Sequence, residues 1–215
     1  MGAIARNIAN NITTSGVFTS SAIANSSVTG ITVLANASDG ITLISSQTAN
    51  NSASLSFTTG IDSTYKAYKF VFSNIHPRNN AVTFDFNMST DSGSNYNVTK
   101  TTTNFGPNHA ESGAGGSVDY NTTLDLAQSS SDLVIGGDQG SDADQSSSGS
   151  LTLFNPSSTT YVKHFISTFH VHHQADYSVT FHVAGYGNTT SAINAVRFKM
   201  STGNFDGVIY LYGIK

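Results

Sequence analysis

The sequence contains no cysteine, which excludes thiol catalysis, disulfide bonds and cysteine-ligated zinc. Charged residues are scarce at 10%, whereas a typical soluble domain carries about 25%. There is no run of about 18 apolar residues, so no membrane span is predicted. Lys and Arg number 9 against 13 Asp and Glu, a net charge of −4. This balance argues against nucleic acid as a partner, because phosphate binding requires clustered Lys and Arg.

Small, neutral, polar residues are abundant instead: Ser, Thr and Asn together make up 78 of the 215 residues. They are poor helix formers and are typical of turns and strands. The 13 Phe and 9 Tyr provide enough aromatic bulk for a hydrophobic core. The composition therefore predicts an ordered all-β protein and argues against a helical bundle, a coiled coil or an α/β enzyme.

The first sixty residues differ from the rest of the chain. Up to residue 61 the only charged residues are Arg6 and Asp39, and the only aromatic residues are Phe18 and Phe57. A segment without large side chains cannot easily bury its own backbone. We therefore predict that residues 1–60 form an extended arm, which is covered by a partner protein or by copies of itself.

Within this arm the sequence predicts one short helix and three strands. Ile4, Ile8 and Ile12 repeat at helical spacing, and Gly16 follows as a stop signal. A helix of about three turns is marginal alone in water, so it needs a groove or sister helices. These isoleucines are the predicted attachment contacts to other proteins. The predicted strands cover residues 29–35, 41–48 and 52–59.

Residues 61–215 show apolar and polar residues in alternation, interrupted by turns rich in Gly, Asn and Ser. Eight or more such strands predict an antiparallel β-sandwich of the jelly-roll type, which would be the display domain. In residues 82–89 the pattern directs Val82, Phe84, Phe86 and Met88 inward and Thr83, Asp85 and Asn87 outward. Loops are predicted at residues 104–116, 136–149 and 202–207.

A group of histidines offers a metal-binding hypothesis. On a strand, His164, His170 and His172 share one face, while Phe165, Phe169 and Val171 occupy the other. If residues 174–177 form a turn, His182 pairs near residues 168–170 and also faces outward. His170, His172 and His182 are therefore candidate ligands for Zn²⁺, Ni²⁺ or Fe²⁺.

Two alternatives to that histidine site remain open. A threefold axis could bring three copies of the His170–His172 pair around one octahedral ion. The imidazoles could also simply hydrogen-bond to water or to a neighbouring subunit. Because a His-x-His spacing alone is a weak signal, the expectation is a protein without a cofactor.

Calcium is a further hypothesis for the acidic stretch that contains Asp138, Asp142 and Asp144. Calcium prefers several carboxylates on a flexible loop. The spacing does not match the EF-hand pattern, so a solvated acidic loop is the expected alternative.

Catalytic motifs are missing from the sequence. There is no Gly-x-Ser-x-Gly elbow between a strand and a helix, and Glu111 is the only glutamate. No pair of carboxylates stands out for glycosidase chemistry. The sequence therefore predicts a protein that is not an enzyme.

Exposed aromatic residues could contact a sugar or receptor. Tyr186 and Phe205, the latter at the tip of a predicted loop, are the main candidates, and Tyr161 and Tyr177 are weaker ones. The alternative for each is an ordinary residue of the rim or the core.

Five stretches of the chain resemble a family of virion surface proteins from tailed phages, especially marine phages. The resembling stretches are GAIARNI at residues 2–8, YKFVFSNIHP at 68–77, SSTTYVKHF at 157–165, AINAVRF at 192–198 and GVIYLYGI at 207–214. The resemblance implies a particle-bound, trimeric protein: a tail fibre, a receptor-binding tip or a capsid decoration protein. It implies no catalytic residues.

The function predicted from these observations is a non-enzymatic structural protein of the virion. The first hypothesis is a short tail fibre or receptor-binding protein, with an arm that binds other virion proteins and a body that contacts a host glycan or receptor. A capsid decoration protein and a carbohydrate-binding module are the alternatives. The expected oligomer is a homotrimer.

Overall fold

The computed structural model describes residues 40–215. The predicted helix with Ile4, Ile8 and Ile12, and the predicted strand at residues 29–35, lie outside the described residues. The described part contains twelve strands and no helix, which confirms the predicted all-β class. The strands are β1 (Ile41–Ser52), β2 (Ser54–Phe57), β3 (Ala67–Pro77), β4 (Val82–Ser89), β5 (Lys100–Ala110), β6 (Gly116–Tyr120), β7 (Leu133–Gln139), β8 (Ser147–Phe154), β9 (Lys163–His173), β10 (Tyr177–Gly187), β11 (Ala195–Met200) and β12 (Phe205–Ile214).

All strand pairs are antiparallel and belong to one hydrogen-bonded sheet. Its main path is β1-β12-β3-β8-β9-β7-β4-β11-β2, and β9 also pairs with β10, which continues through β5 to β6. The connection between β7 and β9 is the single pair Gln139–His173. No helix in residues 40–215 is long and apolar enough to cross a membrane.

The core lies where strands far apart along this path face each other. Phe72 of β3 lies 5.5 Å from Phe84 of β4 and 5.6 Å from Phe169 of β9, measured between ring centroids. Edge-to-face and offset rings of this kind add about 0.5–1.5 kcal/mol per pair beyond the area they bury. The predicted inward face of β4 is confirmed, since Val82, Phe84, Phe86 and Met88 are all buried. The sheet therefore curves back on itself around an aromatic centre.

Residues 41–57 fall within the segment that the sequence analysis assigned to the arm. In the structure they form β1 and β2, which pair with β12 and β11 of the same chain. Phe57 is buried, with its ring 5.3 Å from that of Phe70. Strands were predicted at both places, and the structure confirms them.

All three predicted loops overlap strands, the third because β12 begins at Phe205. β5 continues through residues 104–110 and is paired on both edges, with β10 and with β6. In the second predicted loop, residues up to Gln139 belong to β7, and residues from Ser147 onward belong to β8. Gly136 lies in β7, where a side chain would overlap the ring of Phe169. The position therefore requires glycine, which leaves room for the aromatic core.

Candidate functional site

The histidines of β9 lie as the alternation predicts. His164 and His170 are exposed and His172 is half-buried, while Phe165, Phe169 and Val171 on the opposite face are buried. The turn is also confirmed: residues 174–176 connect β9 to β10, and Asp176 has a left-handed φ of 58°. A left-handed third residue is usual in three-residue hairpin loops.

His182 lies opposite Thr168, as predicted, and its Nδ1 is 3.4 Å from the Thr168 hydroxyl. Its ring stacks on Phe105 of β5 at 5.3 Å between centroids. The Nε2 of His170 is 2.9 Å from the Ser178 hydroxyl. These two imidazoles therefore have separate partners, and the cluster of potential metal ligands in residues 40–215 is a different one.

That cluster contains His172 together with two carboxylates, Glu111 and Asp176. One ligand atom from each of the three residues lies within 4.8 Å of the others. The Nε2 of His172 is 3.3 Å from Glu111 Oε1 and 4.0 Å from Asp176 Oδ1. This nitrogen is closed to solvent and has no hydrogen-bond partner. The arrangement offers one imidazole and two carboxylates to a common point.

Backbone pairing fixes the three residues of the cluster. Glu111 directly follows β5, whose last residue, Ala110, pairs with Tyr177 at the start of β10. The Glu111 amide donates a 2.9 Å hydrogen bond to the Asp176 carbonyl. The sequence did not reveal this cluster because Glu111 lies in a predicted loop and is more than sixty residues from His172.

A cavity of about 240 Å³ adjoins the cluster. Its walls include Asp144 and His170 beside Glu111 and His172, with Ser146, Tyr177 and Ser178 completing them. None of these lining residues is Lys or Arg. The cavity therefore places a further carboxylate and a further imidazole near the cluster.

The three aspartates of the calcium hypothesis do not meet at one point in the described structure. Asp138 lies 3.8 Å from the Nε2 of His173, and Asp144 lines the cavity next to His172. The amide of Asp142 donates to the side-chain oxygen of Gln145. Only Asp144 is thus close to the cluster of potential ligands.

Tyr186 lies in a second cavity, of about 470 Å³, on the outward side of β5, β9 and β10. Its ring is 6.1 Å from that of His164, and the neighbouring Ile166 is 55% exposed. Thr101 and Thr103 line the same cavity. An apolar floor bordered by hydroxyl groups is suited to a ligand that is apolar on one side and polar at its edge.

The prediction that Phe205 lies at an exposed loop tip is wrong. Phe205 is the first residue of β12 and is 0% exposed, with its ring 5.7 Å from Phe84. Its neighbour Gly207 takes a left-handed φ of 133°, and β12 already pairs with β3 at Phe205. Tyr161 is 70% exposed, and Tyr177 is half-buried against His173 at 5.7 Å.

A buried polar network lies on the other side of β4. Asp85 and Asn87, which the alternation directs to solvent, are 6% and 1% exposed, so that prediction is wrong. The Asn87 side chain donates to Asp132 and accepts a 2.7 Å hydrogen bond from the ammonium of Lys100. This face is covered by residues near Asp132, which a period-2 pattern cannot foresee.

Burial sets the ionisation of this network. Burial lowers the pKa of Lys100 to about 8, although the charge of Asp132 acts in the opposite direction. Burial also raises the pKa of Asp85. For Asp132, burial opposes ionisation, but the hydrogen bond from Asn87 and the charge of Arg197 outweigh it and lower the pKa. The Asn87 side chain therefore bridges the buried ammonium of Lys100 to the half-buried Asp132, whose carboxylate forms ion pairs with Arg197 at 3.2 Å and Lys199 at 3.3 Å.

Comparisons with known proteins add nothing to these observations: no family model matches the chain, and neither does any curated protein or solved structure.

Proposed function

We propose that this chain is a non-enzymatic surface protein of a phage virion, a short tail fibre or receptor-binding protein. The observation that supports the proposal is the uncharged outer face formed by β5, β9 and β10. Its outward residues are Thr101, Thr103, Phe105, Pro107, His109, His164, Ile166, Thr168, His170, His172, Ser178, Thr180, His182, Ala184 and Tyr186, with no Asp, Glu, Lys or Arg among them.

Such a face has the composition of a recognition surface. Cores of protein interfaces are depleted in charged residues and enriched in aromatic residues, because desolvating a charge is unfavourable. Phe105 is 44% exposed and Ile166 is 55% exposed on this face, although both are large and apolar. Large apolar side chains exposed on an uncharged face are typical of an interaction site.

Within the outer face, we assign the glycan or receptor contact to the cavity beside Tyr186. The ring of Tyr186 offers an apolar surface to the C–H groups of a sugar, and the hydroxyl of Thr101 can donate to its oxygens. A free carbohydrate-binding module would use the same cavity. The two alternatives differ in location, because only a fibre is part of the purified particle.

The proposed architecture is a jelly-roll-like sandwich. Strands β7, β4, β11 and β2 form one run of the sheet, and β1, β12, β3, β8 and β9 form the other. Phe198 of the first run lies 5.0 Å from Phe72 and 5.1 Å from Phe70 of the second. Ring contact between two runs of strands is the packing expected of two facing layers.

Attachment to the particle is assigned to the segment that precedes β1, with Ile4, Ile8 and Ile12 as its contacts to other virion proteins and a homotrimer as the assembly. The support is the sequence alone: up to Ile41 the chain has two charged residues, Arg6 and Asp39, and one aromatic residue, Phe18. The same arm would serve a capsid decoration protein lying on the shell.

The decisive experiment locates the chain in purified particles by cryo-EM and then measures binding of the full chain to host cells and to a glycan array. We expect density at the tail, and we expect Tyr186→Ala to weaken binding by at least about tenfold, the effect of losing one anchor residue. Tyr212→Ala, a half-buried tyrosine outside the cavity, is the matched control. Density at capsid sites would instead establish the decoration protein, and absence from the particle would refute both.

A further inference from the structure

The end of the sheet that carries Glu111, His172 and Asp176 is distinct from the cavity at Tyr186. His172 is the second-to-last residue of β9, and Asp176 closes the turn to β10. Glu111 is brought beside them by the pairing of β5 with β10. Three different segments thus deliver one ligand atom each to the same place.

The charges of this cluster are unbalanced without a cation. Oxygens of the Glu111 and Asp176 carboxylates lie 3.3 Å and 4.0 Å from the His172 nitrogen, and Asp144 borders the adjoining cavity. None of the cavity-lining residues is Lys or Arg. A bound cation would offset the electrostatic repulsion between carboxylates placed this close together.

The His172 nitrogen is a second, independent indication. Its Nε2 is closed to solvent and makes no hydrogen bond, whereas buried polar atoms are nearly always paired. A neutral imidazole nitrogen is also the commonest protein ligand for a transition metal. Oxygens of both carboxylates lie within 4.0 Å of this unpaired atom.

The distances suit one metal ion. Two ligands of a tetrahedral zinc at bond lengths of about 2.0–2.2 Å are separated by roughly 3.3–3.6 Å. The His172 nitrogen is 3.3 Å from the Glu111 oxygen and 4.0 Å from the Asp176 oxygen. Both carboxylate side chains are largely exposed, at 62% and 70%, so each can adjust by rotation.

We propose that Glu111, His172 and Asp176 bind one divalent transition-metal cation, with Zn²⁺ as the reference ion. The cavity beside His170 and Asp144 leaves the fourth position open to water or to a further ligand. An imidazole among the ligands favours zinc and its neighbours over calcium, which prefers oxygen ligands only. The ion holds the β9–β10 turn to the end of β5.

The test is a Zn²⁺ titration of the full chain, freed of metal with EDTA, against a chromophoric chelator. We expect one ion per chain, and a dissociation constant for Zn²⁺ that is higher by at least about tenfold in His172→Ala and in Glu111→Gln. The matched control is His164→Ala, which removes an exposed imidazole from the same face of β9 and leaves binding unchanged. Because Glu111 is exposed, its variant keeps the test valid if His172→Ala fails to fold.

Two results would overturn the proposal: no stoichiometric binding, or an equal loss in His164→Ala and His172→Ala, which would mean adventitious binding to surface imidazoles. A parallel titration with Ca²⁺ examines the ligand chemistry. Binding weaker than that of Zn²⁺ is expected, and tighter binding would contradict the role of His172. X-ray absorption of the zinc-loaded chain should show nitrogen and oxygen ligands.

Discussion

Lys100 gives the protein a dependence of stability on pH that can be calculated from its surroundings. The side chain is 0% exposed, and its ammonium donates 2.7 Å hydrogen bonds to Asn87 Oδ1 and to the Val98 carbonyl. Burial lowers its pKa to about 8, from an ordinary value of 10.5. The folded protein therefore releases this proton at a lower pH than the unfolded chain does.

The sign follows from proton counting. Between pH 8 and pH 10.5 the unfolded chain retains the Lys100 proton while the folded protein has lost it, so the free energy of unfolding rises with pH. Integrated from pH 7 to pH 10, the increase from this one group is about 2.5 kcal/mol. Below pH 8 both states are protonated, and burial of the ammonium reduces the stability of the fold.

The assay is urea unfolding of the full chain at pH 7 and pH 10, followed by far-ultraviolet circular dichroism. Burial also lowers the pKa of Lys163, which adds a rise of the same sign. The informative quantity is therefore the difference between the wild type and Lys100→Met, which should lack about 2.5 kcal/mol of the pH-dependent rise. Lys69→Met, at a half-buried lysine, is the control and should behave as the wild type.

The absolute stability of Lys100→Met at pH 7 does not test the argument, because the variant leaves Asn87 Oδ1 and the Val98 carbonyl without their donor. Equal pH dependence in Lys100→Met and the wild type would refute it. That outcome would mean that the ammonium keeps an ordinary pKa inside the protein.

Two further predictions concern the core and one turn. Phe198→Ala should lower the free energy of unfolding by about 3–5 kcal/mol in urea titrations, because the Phe198 ring packs against rings from both runs of the sheet. The control, Tyr161→Ala at an exposed position, should change this free energy by less than about 0.5 kcal/mol. Similar losses in both variants would contradict the assigned core. Asp91 accepts hydrogen bonds from Ser89 and Asn95, which lower its pKa to about 2, so its contribution to stability is present above pH 3.8 and is lost as the pH falls through about 2. An NMR titration of the Asp91 carboxyl group should show a midpoint near pH 2, and a midpoint at pH 3.8 would refute the prediction. The Asp91→Asn variant should lack this contribution to the pH dependence of acid unfolding.

Much of the described fold could be predicted from the sequence, because strand alternation is a local property. The inward face of β4 and the outward histidines of β9 follow from the period of two. The turn at residues 174–176 and the pairing of His182 with Thr168 follow from the same rule together with chain connectivity. These predictions needed no knowledge of distant contacts.

The polar strands could not be predicted in this way. Residues 104–110 are Gly-, Asn- and Pro-containing, yet they form part of β5 because β10 and β6 both offer backbone partners. Phe205 was placed at a loop tip, but β12 extends to it and carries its ring into the core beside Phe84. In each case a tertiary neighbour overrides a weak local preference.

The sequence by itself determined the class of the protein and the direction of most strand faces, since both depend on composition and on the alternation of neighbouring residues. Only the tertiary structure decided which side chains meet. It buried Asn87 and Lys100 beneath residues that follow them by up to forty-five positions, and it brought Glu111 to His172 across sixty-one. Antiparallel pairing brings these sequence-distant residues together, because the register between strands depends on the whole sheet and not on any one segment.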